Sequence, residues 1–170
     1  MFMSKQNRKK QRGQWRKLKS MFRNIDNFKP FTKTSNECEH FHVPSSMFIE
    51  SSRTSRKVKT EFCRKWIKTA EAFIAEKPVD ILFCKVVAVL SVPNYWSSQI
   101  IIFYDETYFN SFWERTESEQ FWIPIKQEES FCKRRNIATS LKETGYHETI
   151  IDEYENIEFE NDLWFYGDLQ

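Results

Sequence analysis

The sequence contains little glycine and no long apolar segment. Glycine occupies three of the 170 positions, so few turns can depend on positive φ angles. The longest apolar run, residues 81–90, includes Lys85 and is much shorter than a membrane span. The basic N-terminus is not followed by the apolar region of a secretory signal. We therefore expect a cytoplasmic protein without a membrane span.

The motifs of common enzymes are also missing. The sequence has no glycine-rich phosphate loop, no GxSxG and no HExxH, and it contains three histidines in all. The four cysteines, Cys38, Cys63, Cys84 and Cys132, form no CxxC pair, and two lie within strongly apolar segments. These features favour free thiols in a reducing compartment. We expect no cofactor and a protein that is not an enzyme.

Large apolar side chains are abundant. Hydrophobic residues make up 40% of the chain, and 16 Phe, 6 Tyr and 6 Trp supply most of their bulk. Residues 81–90 and 100–104 are two runs of β-branched and aromatic residues, separated by a link of hairpin length. Neither run alternates with polar residues, which indicates strands covered on both faces. The sequence predicts a central hairpin at Ile81–Tyr104.

Amphipathic helices are predicted on either side of this hairpin. Apolar residues recur at helical spacing over 12–28 and over 54–76, and both segments are rich in Lys and Arg. A third helix is predicted from Asp105 to Trp113 and a fourth over 131–142, with Gly145 as its left-handed cap. Residues 115–120 are interpreted as a loop.

The fold class follows from the order of these elements. A terminal hairpin is predicted at 146–154 and 159–169, and the short run 121–125 is an edge strand or an extended connection because it contains Pro124. Helices alternating with hairpins indicate an α+β domain with a mainly antiparallel sheet of four or five strands. We assign residues 11–170 to this single domain and residues 1–10 to a disordered basic arm.

Residue types that bind metals are concentrated at Cys38, His40 and His42. If this segment is a strand, the three side chains point to one face, where thiolate and imidazole ligands can share a zinc ion. A closed site needs a fourth ligand, and the remaining histidine is His147. The alternative is a strand whose polar residues face water, and we prefer it because the spacing matches no recognised metal motif.

The link between the central strands is a candidate binding site. Asn94, Trp96, Ser98 and Gln99 would present two amides, a hydroxyl and an indole between two rigid strands. The simpler interpretation is a turn at Pro-Asn with Trp96 covering the core. Arg115 is a further candidate binding residue.

Charge is distributed unevenly along the chain. Residues 1–23 contain nine Lys or Arg and no acid, whereas residues 143–170 contain nine acids and no Lys or Arg, and the net charge is +2. Our leading hypothesis is a non-catalytic interaction protein of the immunity or antitoxin type, whose acidic C-terminal hairpin binds a protein with a basic surface. The candidate contacts are Asp152, Glu153, Glu155 and Glu158.

Three alternatives remain open. The basic helices 12–28 and 54–76 would bind RNA or DNA. A small metal protein or enzyme would use Cys38, His40 and His42. Finally, the basic and acidic ends would neutralise each other within the fold, and the asymmetry would then imply no partner.

Four local patterns point to a family. They are HFHVP at 40–44, SVPNYWSSQI at 91–100, YFNSFWER at 108–115 and LWFYGDL at 163–169. Over residues 12–169 the chain resembles an uncharacterised family of small proteins from low-GC Gram-positive bacteria, catalogued as a domain of unknown function. The resemblance implies a bacterial cytoplasmic origin and a single domain, and it implies no activity, cofactor or catalytic residue.

Overall fold

A computed structural model describes residues 5–32, 37–43, 54–92, 98–119, 122–126, 130–148 and 162–169. These residues form an α+β fold. Its helices are α1 (Lys5–Asn27), α2 (Arg56–Ala75), α3 (Glu106–Ser118) and α4 (Phe131–Arg135), and its strands are β1 (Cys38–Val43), β2 (Lys85–Val92), β3 (Ser98–Phe103), β4 (Trp122–Pro124), β5 (Lys142–Glu148) and β6 (Asp162–Gly167).

The strands form one antiparallel sheet in the order β1-β3-β2-β6-β5-β4. The pairing of β2 with β3 confirms the central pair of strands, and β5 pairs with β6 as the terminal prediction required. Strand β5 begins at Lys142 rather than at residue 146, and residues 149–161 of that prediction lie outside the described residues. The predicted count of four or five strands is wrong, because the sheet has six. The edge strands are β1 and the three-residue β4, and Pro124 suits the edge position of β4 because it has no N–H to donate to a further strand.

Successive residues of the central strands face opposite sides of the sheet, and both sides are buried. Val86 and Ala88 belong to the larger core, which the sheet forms with α1, α2 and α4. Val87 and Val89 belong to a smaller core under α3. Trp66 of α2 is fully buried, and its indole Nε1 donates to the Val89 carbonyl oxygen at 3.3 Å. The continuous apolar runs therefore reflect a sheet covered on both faces.

Side-chain caps define where two of the helices begin. The Ser55 hydroxyl accepts from the Val58 N–H at 3.4 Å at the start of α2, and the Asp105 carboxylate accepts from the Tyr108 N–H at 2.7 Å at the start of α3. Helix α1 begins at Lys5, ahead of the predicted start at residue 12, so residues 5–10 of the predicted arm are helical.

A buried carboxylate holds the turn that follows α1. Phe31 adopts a left-handed φ of 63°, and its N–H donates to Glu39 Oε2 at 3.1 Å. The Tyr104 hydroxyl donates to the same oxygen at 2.8 Å. Glu39 is 4% exposed, so these two hydrogen bonds offset the cost of its desolvation. Burial and the neighbouring Glu39 raise the pKa of Tyr104.

The predicted helix over 131–142 is wrong beyond residue 135. Asn136 ends α4 with a left-handed φ of 52°, so the cap is an asparagine and not Gly145. Gly145 lies inside β5, where a Cβ atom would be 2.3 Å from the Trp122 ring. Glu71 of α2 holds the loop after α4, because its carboxylate accepts from the Ser140 N–H at 2.6 Å.

Two further boundaries differ from the prediction. Helix α3 continues to Ser118, through most of the segment predicted as a loop. Strand β2 begins at Lys85 rather than at residue 81, and Leu82 before it is 98% exposed. Lys85 pairs with Phe103, where β3 ends, so the residues before Lys85 have no strand of the sheet beside them on that side.

Candidate functional site

Three helices on one side of the sheet form a basic surface. Helices α1 (from Arg12 onward), α2 and α4 contain fourteen Lys or Arg residues (five, six and three respectively) against three acidic residues. All three contribute apolar side chains to the same core, so their outer faces belong to one surface. We call this surface, made by α1, α2 and α4, the basic layer.

A row of four cations runs along α1. Arg12, Arg16, Lys19 and Arg23 recur four, three and four residues apart, so they share one face of the helix, away from the buried Leu18. Their Cα atoms span about 16 Å at the helical rise. All four side chains are exposed, and none has an ion pair with a described residue. We call these residues the α1 row.

The first turn of α2 brings further positive charge. Arg56, Lys57 and Lys59 lie there without an acidic residue, at the end of the helix where the dipole is also positive. Burial and then Arg135 of α4 lower the pKa of Lys59. The two cations therefore repel each other where α2 meets α4.

The acids of the basic layer do not neutralise the α1 row. Asp26 pairs with Lys65, and Glu61 pairs with Arg64 on its own helix. The third acid, Glu71, accepts hydrogen bonds from the loop after α4. The exposed cations of α1 are therefore available to an external anion, as far as the described residues show.

On the other side of the sheet, Cys38, His40 and His42 share one face of β1, as predicted. The Cys38 Sγ atom lies 3.1 Å from His40 Nε2, and the rings of His40 and His42 stack with centroids 5.7 Å apart. Gln99 of β3 hydrogen-bonds to His40, and Tyr108 of α3 hydrogen-bonds to Cys38. The structure thus brings two predicted site regions together.

The protonation states of this group do not favour nucleophilic catalysis. Burial raises the pKa of the Cys38 thiol, and burial together with His42 lowers the pKa of His40. At neutral pH the pair is a neutral thiol beside a neutral imidazole, whereas an activated cysteine needs a thiolate stabilised by a cation. Both pKa shifts are opposite in direction to those of an activated cysteine–histidine pair.

His147 lies far from the other predicted metal ligands. It is on β5, four strand positions from β1, which corresponds to about 19 Å across the sheet. Its ring contacts the Glu119 carboxylate at 3.3 Å and the Thr116 carbonyl oxygen at 3.2 Å. Within the described ranges, no three His, Cys, Asp or Glu side chains are grouped to hold a metal ion.

The remaining predicted binding residues are scattered. Ser98 is buried, and Arg115 on α3 is close enough to Tyr108 to interact electrostatically. The other predicted contacts lie outside the described residues; they are Asn94, Trp96, Asp152, Glu153, Glu155 and Glu158. Sequence analysis missed the contribution of α4 to the basic layer, although the run Lys133-Arg134-Arg135 is visible in the sequence.

These observations define a class: an α+β protein whose single antiparallel sheet lies between a basic layer of helices and one acidic helix. Residues 20–168 match the family described as "Protein of unknown function (DUF3916)", and the chain belongs to this family. No curated protein and no solved structure matches the chain. Among the helices that the structure describes, none combines the length and the apolarity needed to cross a bilayer.

Proposed function

We propose that this protein binds RNA or DNA through the phosphate backbone and is not an enzyme. The α1 row is the observation that carries this proposal, since it presents four exposed cations without ion-pair partners among the described residues. The immunity-type function predicted first is the second candidate below.

The spacing of the α1 row suits a nucleic-acid strand. One strand of a duplex carries a phosphate about every 3.4 Å along its axis, so the length of the row, about 16 Å, faces about five phosphates. Each contact between a cation and a phosphate releases condensed counterions, which makes binding favourable and strongly dependent on salt. No base-reading contact is needed, so we expect little sequence preference.

The start of α2 provides a second contact. A phosphate near Arg56 and Lys59 would relieve the repulsion between Lys59 and Arg135, and it would lie at the positive end of the helix dipole. Because α2 and α4 both pack on the larger core, these cations need little reorganisation on binding.

Fluorescence polarisation with short labelled RNA and DNA tests the proposal. We expect the wild-type protein to bind at low salt, with affinity falling steeply between about 50 and 200 mM salt. The quadruple variant Arg12→Gln, Arg16→Gln, Lys19→Gln, Arg23→Gln should reduce the slope of log K against log salt by about 3–4 on duplex DNA.

The matched control removes four exposed cations from outside the basic layer. It carries Lys77→Gln, Arg115→Gln, Lys126→Gln and Lys142→Gln, which change the net charge by the same amount. We expect its salt slope to stay near that of the wild type. Equal losses in both variants, or no binding by the wild-type protein at low salt, would show that the proposal is wrong.

A second candidate function is binding of a protein with a basic surface, in the manner of an immunity or antitoxin protein. Helix α3 supports it, because the helix and its two caps contain Asp105, Glu106, Glu114, Glu117 and Glu119 against one arginine. We place either function in the bacterial cytoplasm, following the family resemblance.

Affinity capture from a bacterial lysate tests the second candidate. It should recover a basic protein with the wild type and lose it with the triple variant Glu114→Gln, Glu117→Gln, Glu119→Gln. A partner retained by that variant, or none at all, contradicts this candidate.

A further inference from the structure

A cleft of about 390 Å³ lies on the α3 side of the sheet, opposite the basic layer. One wall is a stripe of α3 at helical spacing, formed by Glu106, Asn110, Trp113 and Glu117. The facing wall comes from strand ends and includes Lys142 of β5. This volume falls within the range of small-molecule sites, which is about 300–1,000 Å³.

The interior of the cleft is aromatic. Phe83, Phe109 and Trp113 line it, and the last two stack with ring centroids 6.4 Å apart. Trp113 also meets Phe165 of β6 edge-on, at 6.2 Å. Its indole is therefore held in place by its neighbours, and it offers a rigid surface to a flat apolar group.

Charged groups of both signs face this aromatic interior. Glu106 and Glu117 lie on the helix wall, and Lys142 and Lys85 lie on the strand wall. Glu106, Glu117 and Lys142 have no ion pair with another described residue. The amide of Asn110 lies between the two carboxylates along the stripe. A complementary ligand carries a negative group for Lys142, a positive group for a helix carboxylate, and a flat apolar part for Trp113.

We propose that this cleft binds a small aromatic zwitterion, of which the aromatic α-amino acids are the simplest examples. The ligand carboxylate pairs with Lys142, its ammonium pairs with Glu106 or Glu117, and its ring packs against Trp113. The site is on the other side of the sheet from the basic layer, so the inference does not rest on nucleic-acid binding.

Isothermal titration calorimetry on the full chain tests this, with L-tryptophan and L-phenylalanine as probes. We expect saturable binding of both. Tryptamine lacks the carboxylate, indole-3-propionate lacks the amine, and L-alanine lacks the ring, so each should bind at least about tenfold more weakly. The inference is overturned if neither amino acid binds, or if any of the three partial probes binds as tightly.

Variants of exposed residues separate the two charged contacts. Lys142→Gln should weaken L-tryptophan binding by about tenfold or more and leave the weak binding of tryptamine unchanged. Glu106→Gln or Glu117→Gln should weaken both ligands. The control is Lys126→Gln, an exposed lysine that is not part of the cleft lining, which should bind like the wild type. If Lys142→Gln binds L-tryptophan as the wild type does, while circular dichroism shows an intact fold, the inference is wrong.

Discussion

The two sides of the sheet differ in both packing and charge. Among the described residues, the core under α1, α2 and α4 contains 21 buried residues and that under α3 contains six. The first side has a basic outer surface, whereas the helix on the second side is acidic. Three helices pack one face densely, and a single helix leaves a cleft on the other. The same sheet can therefore support two unrelated binding surfaces.

On the α3 side, aromatic rings make many of the contacts between the helix and the sheet. Trp113 meets Trp122 at 5.8 Å and Phe165 at 6.2 Å, both nearly edge-on. Phe103 contacts Phe109 and Phe112 of the same helix, at 5.3 and 5.0 Å. Large rigid rings hold one helix in place without filling all the space beneath it, which explains why the cleft lies on this side.

The largest predicted loss of stability comes from substitutions in the two cores, which can be compared directly. Trp66→Ala should lower the free energy of unfolding by about 5 kcal/mol, because it opens a cavity and leaves the Val89 carbonyl without its donor. Phe109→Ala, on the α3 side, should cost about 3 kcal/mol, because Phe109 lies in the smaller core, where the surroundings can collapse more easily. Urea unfolding measures both. An equal or reversed order would contradict the idea that the larger core dominates stability.

A smaller loss of stability is expected when the capping side chains of α2 and α3 are removed. Asp105→Ala should cost about 1.5 kcal/mol, because it removes the short hydrogen bond to Tyr108 and a negative charge at the start of α3. Ser55→Ala should cost about 0.5 kcal/mol, since its bond to Val58 is long and α2 is held by the larger core. Thermal unfolding of both variants checks this. If Ser55→Ala lowered the stability of the protein more than Asp105→Ala does, α3 would not be the less stable of the two helices.

The pH dependence of stability should reveal the role of Glu71 on the basic side. Burial raises its pKa, but the hydrogen bonds from Ser140 and Thr139 outweigh burial, so the net pKa is lowered. Its stabilisation is present above the ordinary pKa of 4.5 and is lost as the pH falls through the lowered value. Because the carboxyl group is partly exposed, Glu71→Gln should cost no more than about 1 kcal/mol at neutral pH.

The same variant should also flatten the loss of stability below pH 4.5. Glu114→Gln is the matched control, since Glu114 is exposed on α3 and accepts no hydrogen bond from another described residue. Urea unfolding across the acid range measures both variants. If the free energy of unfolding of Glu71→Gln falls with decreasing pH as steeply as that of the wild type, the Glu71 hydrogen bonds do not contribute to the loss of stability in acid.

The smallest perturbation uses the cysteines as probes of how tightly the larger core is closed. Burial raises the pKa of Cys63 and of Cys132 to about 12, and both belong to the larger core. Cys38 and Cys84 are only partly buried. A thiol reagent at neutral pH should therefore label Cys38 and Cys84 in the native protein, and all four cysteines after denaturation. Rapid native labelling of Cys63 or Cys132, located by mass spectrometry, would show that the larger core opens readily.

Features with a regular local pattern could be predicted from the sequence. The apolar runs at 81–90 and 100–104, which do not alternate with polar residues, predicted a sheet covered on both faces, and residues 54–76 predicted the strongest helix. The period of a strand placed Cys38, His40 and His42 on one face. Predictions failed where a boundary depends on a distant partner. Gly145 belongs to a strand rather than to a cap, because it pairs with Pro124 and with Phe165 in the sheet. Its missing Cβ leaves room for the Trp122 ring.

The candidate surfaces were less predictable than the elements that form them. The many cations of α1 and α2 were evident, but nothing in the sequence placed Lys59 beside Arg135 of α4. The cleft was not predicted at all, because its walls come from α3, from Phe83 and Lys85 before it, and from Lys142, Thr144 and Leu169 after it. Such groupings depend on strand order, which local patterns do not specify.

By itself, the sequence determined the type of each long element, the burial of the central hairpin, the absence of common enzyme motifs, and the basic character of α1 and α2. These properties depend on residue type and periodicity within one segment. Only the tertiary structure decided which helices share a side of the sheet, which cations meet, and where a cleft remains. The physical reason is that these properties arise from contacts between distant segments: Arg135 and Thr60, which are hydrogen-bonded, are 75 positions apart in the chain.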